Sequence, residues 1–357
     1  MILFVSGEYP PDVGGVGDYT ERLRAALGNA SCPSDVLSRR EVGRWDARSL
    51  VRLVRRAPPE GIVHIQYQPA AFDLLGDVCL MPVVLRRTRP RVRVVTTLHD
   101  VRVPYLFPKA GRLRWRAVQL LAHSSHAVVA ADERDLDALR PHKRYVIPIG
   151  SNVACAPPAG YDRAAFRQSL GISDLTLAYF GLLNASKGLD SLLQAFEIVL
   201  AARPHARLLL LGGSAGASDR TDVHTATALR AQLQRFGASV LRPGFLAPPE
   251  LAAYLLAADV ALLPYVDGAS PRRGSLLACA AHGLPIVSTL PVSSAVADAV
   301  LAVARDDATG MADAVVRVAG DAELRARLQS GSRELTQRTS WPNIAAAHVA
   351  LYNELAN

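Results

Sequence analysis

Four loops in this 357-residue chain set glycine beside charged or hydroxyl-bearing residues, each where an apolar strand pattern gives way to a helix pattern. The first is Glu8-Tyr9-Pro10-Pro11-Asp12-Val13-Gly14-Gly15-Val16-Gly17. Glycines let backbone N–H groups approach a ligand closely, and a helix N-terminus favours an anion. The spacing of Gly14, Gly15 and Gly17 is Gly-Gly-x-Gly, which differs from the Gly-x-Gly-x-x-Gly dinucleotide fingerprint. The plain alternative is a flexible turn. The second loop, Thr96-Thr97-Leu98-His99-Asp100, ends an apolar strand. A histidine there can donate to a hydroxyl or a phosphate, or simply cap its own loop.

The third loop runs Phe180-Gly181-Leu182-Leu183-Asn184-Ala185-Ser186-Lys187-Gly188. A lysine at the start of a helix costs about 0.3–1 kcal/mol against the helix dipole, unless an anion sits beside it. A diphosphate would relieve that cost; a solvated Lys187 is the alternative. The fourth is Asp267-Gly268-Ala269-Ser270-Pro271-Arg272-Arg273-Gly274-Ser275-Leu276. Ser270 before Pro271 has the form of an N-cap with proline at the first helical position, or else the helix begins at Gly274. Either way two arginines crowd a helix N-terminus. Their forks match phosphate oxygens, although either one can instead pair with Asp267 in solvent.

The elements that must hold these loops alternate between short apolar runs and amphipathic stretches, which predicts parallel sheets covered by helices. Strands are expected near Ile2–Ser6, Asp35–Leu37, Ile62–Gln66, Val92–Thr97, Ala127–Ala130 and Tyr145–Pro148. A second set falls near Leu175–Phe180, Ala206–Leu211, Val240–Leu241, Val260–Leu263, Pro285–Ser288 and Ala299–Val303. Helices are expected near Gly17–Leu27, Ala47–Arg56, Arg112–Ala122, Leu189–Ala202, Thr225–Phe236, Pro249–Ala257 and Gly274–His282. The glycine- and proline-containing stretch Gly150–Tyr161 reads as a seam. The fold class is therefore α/β, with two Rossmann-like doubly wound domains. Open sheets of this kind bind ligands at the carboxyl ends of their strands.

Half of the residues are apolar and a fifth are charged, which describes a soluble globular chain. Cys32, Cys79, Cys155 and Cys279 lie far apart, with no Cys-x-x-Cys or Cys/His cluster. Neither a zinc site nor a disulfide framework is expected, and a reducing cytoplasm fits. No run of about 18 apolar residues is present, and the opening strand does not read as a signal peptide. The net charge of +8 lies wholly in residues 1–150. Arg44, Arg48, Arg52, Arg55 and Arg56 recur at helical spacing, and Arg112, Arg114 and Arg116 surround Trp115. This asymmetry points to an anionic partner, such as an acidic acceptor or a membrane surface, or to no more than a solvated helix face. No nucleic-acid motif is present.

Taken together, in order and spacing, the motifs resemble the retaining glycosyltransferases of the GT-B fold, family 4. The resemblance covers nearly the whole chain. It includes the glycine loop at 14–17, Thr97-Leu98-His99-Asp100, Ile147-Pro148-Ile149-Gly150-Ser151-Asn152 and Lys187-Gly188. It continues through Ala258-Asp259-Val260, His282-Gly283-Leu284-Pro285-Ile286-Val287 and Trp341. It implies two domains facing across a cleft: residues 1–153 on the acceptor side, joined by a returning helix in 341–357, and residues 154–340 binding a nucleoside-diphosphate sugar.

The resemblance also implies roles. Gly14, Gly15 and Gly17 would meet the donor phosphates, and His99 would lie near the transferred sugar. Lys187 would neutralise the diphosphate. Gly181, Ser270, Arg272, Gly274, Ser275 and Leu276 would complete the donor site, with Arg273 among the catalytic groups. Two departures stand out. Leu182 replaces the usual arginine, and Ser270 and Ala278 replace the usual pair of glutamates. No Asp-x-Asp at a strand end suggests a metal, since Asp135-x-Asp137 reads as helical and solvated; no cofactor beyond the donor is expected. The expected activity is retaining, metal-independent transfer to a glycan, lipid-linked or small-molecule acceptor in polysaccharide or glycoconjugate synthesis. The enzyme would be cytoplasmic, with possible peripheral contact at an anionic membrane. A binding or scaffold protein that has lost catalysis is the alternative. A sugar-nucleotide epimerase would want cleft carboxylates, and a nicotinamide enzyme a different glycine spacing.

Overall fold

A computed structural model describes residues 1–12, 14–99, 111–181, 188–212 and 232–356, with the side chains of 111–114 outside the description. The chain divides into two compact units. Unit 1 comprises Met1–Asn152 and Arg338–Asn357, and unit 2 comprises Val153–Gln337.

Unit 1 is built on a six-stranded parallel sheet: β1 (Ile2–Ser6), β2 (Ser34–Ser38), β3 (Gly61–Tyr67), β4 (Val92–Leu98), β5 (Ala127–Ala130) and β6 (Arg144–Val146), in the order β2-β1-β3-β4-β5-β6. Parallel strands are covered on both faces, so the central strands are mostly apolar, as in residues 2–5 of β1 and Ala127–Ala130 of β5. Alternation then divides the side chains between two cores. Leu3 and Val5 of β1 enter one and Ile2 and Phe4 the other.

The first core is covered by α2 (Arg39–Val42), α3 (Ala47–Arg56), α4 (Met81–Thr88), α5 (Gly111–Ser124) and α6 (Glu133–Leu139), which contribute residues such as Leu53, Met81, Leu121 and Leu136. The second is closed by α1 (Gly15–Asn29), through Tyr19, Leu23 and Leu27, and by a helix from the far end of the sequence. That helix, Trp341–Ala356, brings Ile344, Leu351, Tyr352 and Leu355. It also ties down the segment at 150–152. A Cβ on Gly150 would stand 2.7 Å from the Trp341 ring, whose Nε1 donates to the Ser151 carbonyl at 3.1 Å. Arg22 donates to the Asn152 carbonyl at 2.7 Å.

Unit 2 carries α7 (Arg163–Ser169), β7 (Thr176–Phe180), α8 (Leu189–Ala202), β8 (Arg207–Leu211), β9 (Val240–Leu241), α9 (Pro248–Ala257) and β10 (Val260–Leu263). It continues with α10 (Gly274–Ala281), β11 (Ile286–Thr289), β12 (Val300–Val303), α11 (Ala308–Gly320) and α12 (Ala322–Arg338), ahead of the terminal helix, α13 (Trp341–Ala356). Its sheet is parallel and ordered β12-β11-β10-β7-β8-β9. Asp259 pins the start of the central strands. It accepts from Arg163 at 2.6 Å, from Arg167 at 3.1 Å and from the backbone N–H of Thr176 at 2.9 Å.

One reading from the sequence needs correction and another is decided. The Asp135-x-Asp137 pair is helical, but only Asp137 is solvated. Asp135 is buried in the first turn of α6, where the helix packs on β5. The fourth loop does not start its helix at Pro271: Arg273 donates its N–H to the Ser270 carbonyl at 3.1 Å, closing a turn, and α10 begins at Gly274. Most of the expected Thr225–Phe236 helix lies outside the described residues.

Candidate functional site

The strand orders locate the places where ligands bind. In unit 1 the order reverses between β1 and β3, and in unit 2 between β7 and β10. Crevices at the carboxyl ends of such strand pairs are the binding points of open α/β sheets. Three of the four loops singled out from the sequence follow β1, β7 and β10, and the second follows β4, the neighbour of β3.

In unit 1 the loop after β1 leads into α1, which begins at Gly15 with Gly14 as an extended N-cap. The three glycines do different things. A side chain at Gly14 would run into the Glu8 carboxylate, and one at Gly17 would press on the backbone of Glu8 and Tyr9 at 3.2 Å. Among the described residues, nothing lies within 4 Å of where a Cβ on Gly15 would stand. Gly14 and Gly17 thus shape the loop, and Gly15 leaves the first turn of α1 open to a ligand. Burial holds the Glu8 carboxyl above its usual range, partly offset by Arg39.

His99 follows β4 and keeps part of its surface open. Its backbone N–H donates to the Tyr67 carbonyl at 2.9 Å, and its ring meets that of Tyr19 edge-on at 4.9 Å. Nε2 lies 2.7 Å from Oε1 of Gln66, a contact that suits the tautomer protonated at Nε2. In that tautomer Nδ1 is an acceptor. In this tautomer His99 can receive a hydrogen bond from a hydroxyl, and in the other it donates one, as its loop suggests. Its surroundings, first by burial and then by the nearby His348, push its pKa down to about 3.

Behind His99 lies a buried polar network absent from the sequence reading. His64 is fully buried, with Nδ1 2.6 Å from the Tyr352 hydroxyl and Nε2 2.7 Å from Thr97 Oγ1. His348 is 5.5 Å away ring to ring and donates from Nδ1 to the Ile344 carbonyl at 2.9 Å. One signal pointed here: His64 and Gln66 are two polar residues, two apart, inside an otherwise apolar run.

In unit 2, Gly181 ends β7 with φ +151, a value suited to glycine. A side chain there would point at the Tyr179 hydroxyl, 3.5 Å away, and at Ser275 Oγ, 3.8 Å away. Gly188 has φ +67 and packs so tightly on the Pro264 carbonyl that a Cβ would collide with it. This contact sets the start of α8 against the end of β10. Ser275 occupies the first turn of α10, and its Oγ is 2.6 Å from the hydroxyl of buried Tyr265. Helix geometry leaves the N–H groups of Gly274, Ser275 and Leu276 without an intrahelical acceptor. Gly181, Tyr179, Ser275, Tyr265 and the N-terminus of α10 thus converge on one spot.

Arg273 caps this cluster. Its guanidinium pairs with Asp267 and lies 4.7 Å over the ring of Tyr265. The pair is sheltered, with the Arg273 side chain only 18% exposed, and is not the solvated pair weighed from the sequence. Arg272 is half-buried beside it, and the Leu276 side chain is buried in the core. Ser270 and Ala278, where the resemblance calls for glutamates, are 5% and 0% exposed. Lys187 and Asp100 lie outside the described residues. Tyr179 and Tyr265 escaped the sequence reading; the one signal was a phenol at each strand's carboxyl end. Burial holds both phenols protonated, well above the usual tyrosine range. The cluster offers hydroxyl protons, helix N–H groups and a fixed guanidinium, a set suited to an anion with sugar hydroxyls. Among the described residues, no group of three or more His, Cys, Asp or Glu is placed to hold a metal.

Residues 174–321, which contain this cluster, match the model of the family described as Glycosyl transferases group 1. The chain is 30% identical over 253 residues to the D-inositol 3-phosphate glycosyltransferase of Xylanimonas cellulosilytica. That match covers 66% of the chain and 58% of the relative, so the chain spans little more than half of the relative's length. Among solved structures, sucrose-phosphate synthase from Thermosynechococcus elongatus superimposes with a TM-score of 0.75 at 20% identity, covering 99% of this chain and 98% of that one. Anabaena HepE in complex with UDP and glucose gives 0.73 at 16%, covering 99% of both chains. The chain thus has the GT-B fold, and residues 174–321 within it match the group 1 glycosyltransferases.

Proposed function

We propose that this protein is a glycosyltransferase that takes a sugar from a nucleoside diphosphate and transfers it with retention and without a metal. The observation that carries the reading is the meeting of Gly181, Tyr179, Ser275 and Arg273 at the N-terminus of α10, inside the segment that matches the family model. When the bond between the sugar and the β-phosphate breaks, negative charge collects on the phosphate. Fixed donors must meet it, and the loss of one commonly costs on the order of 10²–10³ in rate. Arg273, the Ser275 hydroxyl and the first N–H groups of α10 supply them, together with Lys187. The acceptor oxygen bonds to the anomeric carbon on the face the phosphate leaves, and its proton passes to the departing phosphate oxygen. His99, with Nδ1 as acceptor, receives a hydrogen bond from a sugar hydroxyl.

For the acceptor we favour a small phosphorylated polyol or sugar. The excess of positive charge in residues 1–150 supports this, as do relatives named for inositol 3-phosphate and sucrose phosphate. A glycan or lipid-linked acceptor at an anionic membrane is the second choice. It draws on the exposed face of α3 formed by Arg48, Val51 and Arg55. Arg52 and Arg56 are already engaged, by the Val42 carbonyl and by Asp35 and Glu41. No described helix is long and apolar enough to cross a membrane.

The test is incubation with UDP-, GDP-, ADP- and dTDP-sugars in EDTA, with and without inositol phosphates and hexose phosphates, followed by nucleoside diphosphate release. Acceptor-dependent release with one donor, and a product whose anomeric proton coupling matches the donor's, is expected. Donor binding without any release would favour the catalytically impaired reading, which the two buried positions 270 and 278, without carboxylates, keep in play.

A further inference from the structure

We propose that Tyr265 is a positioning residue of the donor site, holding Arg273 with its ring and Ser275 with its hydroxyl. The proposal rests on the reading of unit 2 as the donor-binding half. Tyr265 directly follows Pro264 at the end of β10 and is only 1% exposed. Its ring lies 4.7 Å below the Arg273 guanidinium carbon, within the range of a cation–π contact. Asp267 holds the same guanidinium from another direction. A long, flexible side chain is thus confined by two supports near the N-terminus of α10.

The Tyr265 hydroxyl acts on a second donor-site group. It is 2.6 Å from Ser275 Oγ, and burial keeps the phenol in its protonated form. When the phenol donates to Ser275 Oγ, the serine's own proton is free to point elsewhere. Gly181, with no side chain, leaves space beside that oxygen. A serine in the first turn of a helix otherwise rotates its hydroxyl freely. Tyr265 thereby presets two donors, and a ligand phosphate or hydroxyl does not have to order them on arrival.

Two substitutions separate the two supports. Tyr265→Phe keeps the ring under Arg273 and deletes the hydroxyl; Tyr265→Leu removes both. Affinity for UDP, GDP, ADP and dTDP is measured by calorimetric titration, and kcat by product release. Tyr265→Phe should weaken binding of the preferred nucleoside diphosphate by about 3- to 10-fold, and Ser275→Ala by a similar factor. The double variant should be no worse than either single one, because both break the same contact. Tyr265→Leu should lose at least about tenfold, and adding Arg273→Ala to it should cost less than Arg273→Ala costs alone.

Tyr161→Phe serves as a stability control. It removes a phenol that donates to the Ala253 carbonyl at 3.0 Å in the same unit, and should leave affinity unchanged. Unchanged affinity and kcat in Tyr265→Phe, in a wild-type protein that binds its donor, would overturn the proposal and leave the functional reading standing. Full additivity of Tyr265→Phe and Ser275→Ala would overturn it as well. A wild-type protein that binds none of the four diphosphates removes the functional reading, and the proposal falls with it.

Discussion

His64 Nδ1 and the Tyr352 hydroxyl, 288 residues apart in sequence, lie 2.6 Å from each other in the core of unit 1. This bond links the central strand β3 to the last helix, α13. Tyr352→Phe keeps the ring and leaves one nitrogen of a fully buried imidazole without its partner. A loss of about 1–3 kcal/mol is expected. Urea unfolding followed by fluorescence of the Trp341 region checks this. A loss below about 0.3 kcal/mol would show that the contact contributes little.

The same network predicts how stability depends on pH. His64, His99 and His348 all have folded-state pKa values below the ordinary 6.5, with His99 at about 3, His348 at about 4 and His64 well down. Burial is the first cause in each. Above pH 7 both folded and unfolded forms are neutral, and stability does not depend on these groups. Below 6.5 the unfolded chain takes up protons that the folded chain refuses. Stability therefore falls as pH falls, by about 1.4 kcal/mol per pH unit for each such imidazole, until its folded pKa is reached. Denaturation midpoints measured from pH 7.5 to pH 5 should drop steeply for unit 1. A flat profile would mean that these imidazoles titrate normally.

Glycine substitutions separate the loop-building positions from the one proposed to face the donor. Gly188→Ala puts a side chain at positive φ and into the Pro264 carbonyl, and should destabilise unit 2 by more than about 1 kcal/mol. Gly15→Ala meets open space in the first turn of α1, so stability should hold or rise by up to about 1 kcal/mol. Its binding of the nucleoside-diphosphate sugar should nevertheless weaken, because the new methyl group covers the open turn. Melting temperatures and titrations on the same two proteins decide the matter. Loss of stability in Gly15→Ala, or unchanged donor binding, would contradict the assignment.

Asp259 predicts a structural effect without a catalytic one. It gathers Arg163, Arg167 and the first N–H of β7 at the amino ends of the unit 2 strands. Asp259→Ala should cost about 1–3 kcal/mol and lower the melting temperature. The KM for donor should not change at temperatures where the protein stays folded. A changed KM would mean that strain at this end reaches the carboxyl-end loops.

Most of the twelve strands among the described residues were legible because they are short apolar runs bounded by turns, buried on both faces. Val240–Leu241 stood out even though it has only two residues. The helices α11 and α12 are not legible in the sequence. The apolar residues of α12 are spaced thinly, at Leu324, Leu328 and Leu335, so its periodicity is weak. Within the site, His99, Gly181 and Ser275 were visible because loop position and residue type coincide. Tyr265 was not, because an aromatic after a buried strand reads as more core. The His64–Tyr352 bond was out of reach for a different reason: neither residue's local pattern says what covers it. Ser270-Pro271 left the helix start open between Pro271 and Gly274, and the structure has it at Gly274. A serine–proline pair signals a helix start, but here a turn closed by the Arg273 N–H comes first.

The central claim is a metal-independent nucleoside diphosphate site at the start of α10. Its most direct measurement is a calorimetric titration of the wild-type protein and of Arg273→Ala with UDP, GDP, ADP and dTDP in EDTA. The account predicts saturable binding of one diphosphate by the wild type and at least about tenfold weaker binding by Arg273→Ala. Equal affinity in the two proteins would place the diphosphate elsewhere, and no binding of any of the four would contradict the account.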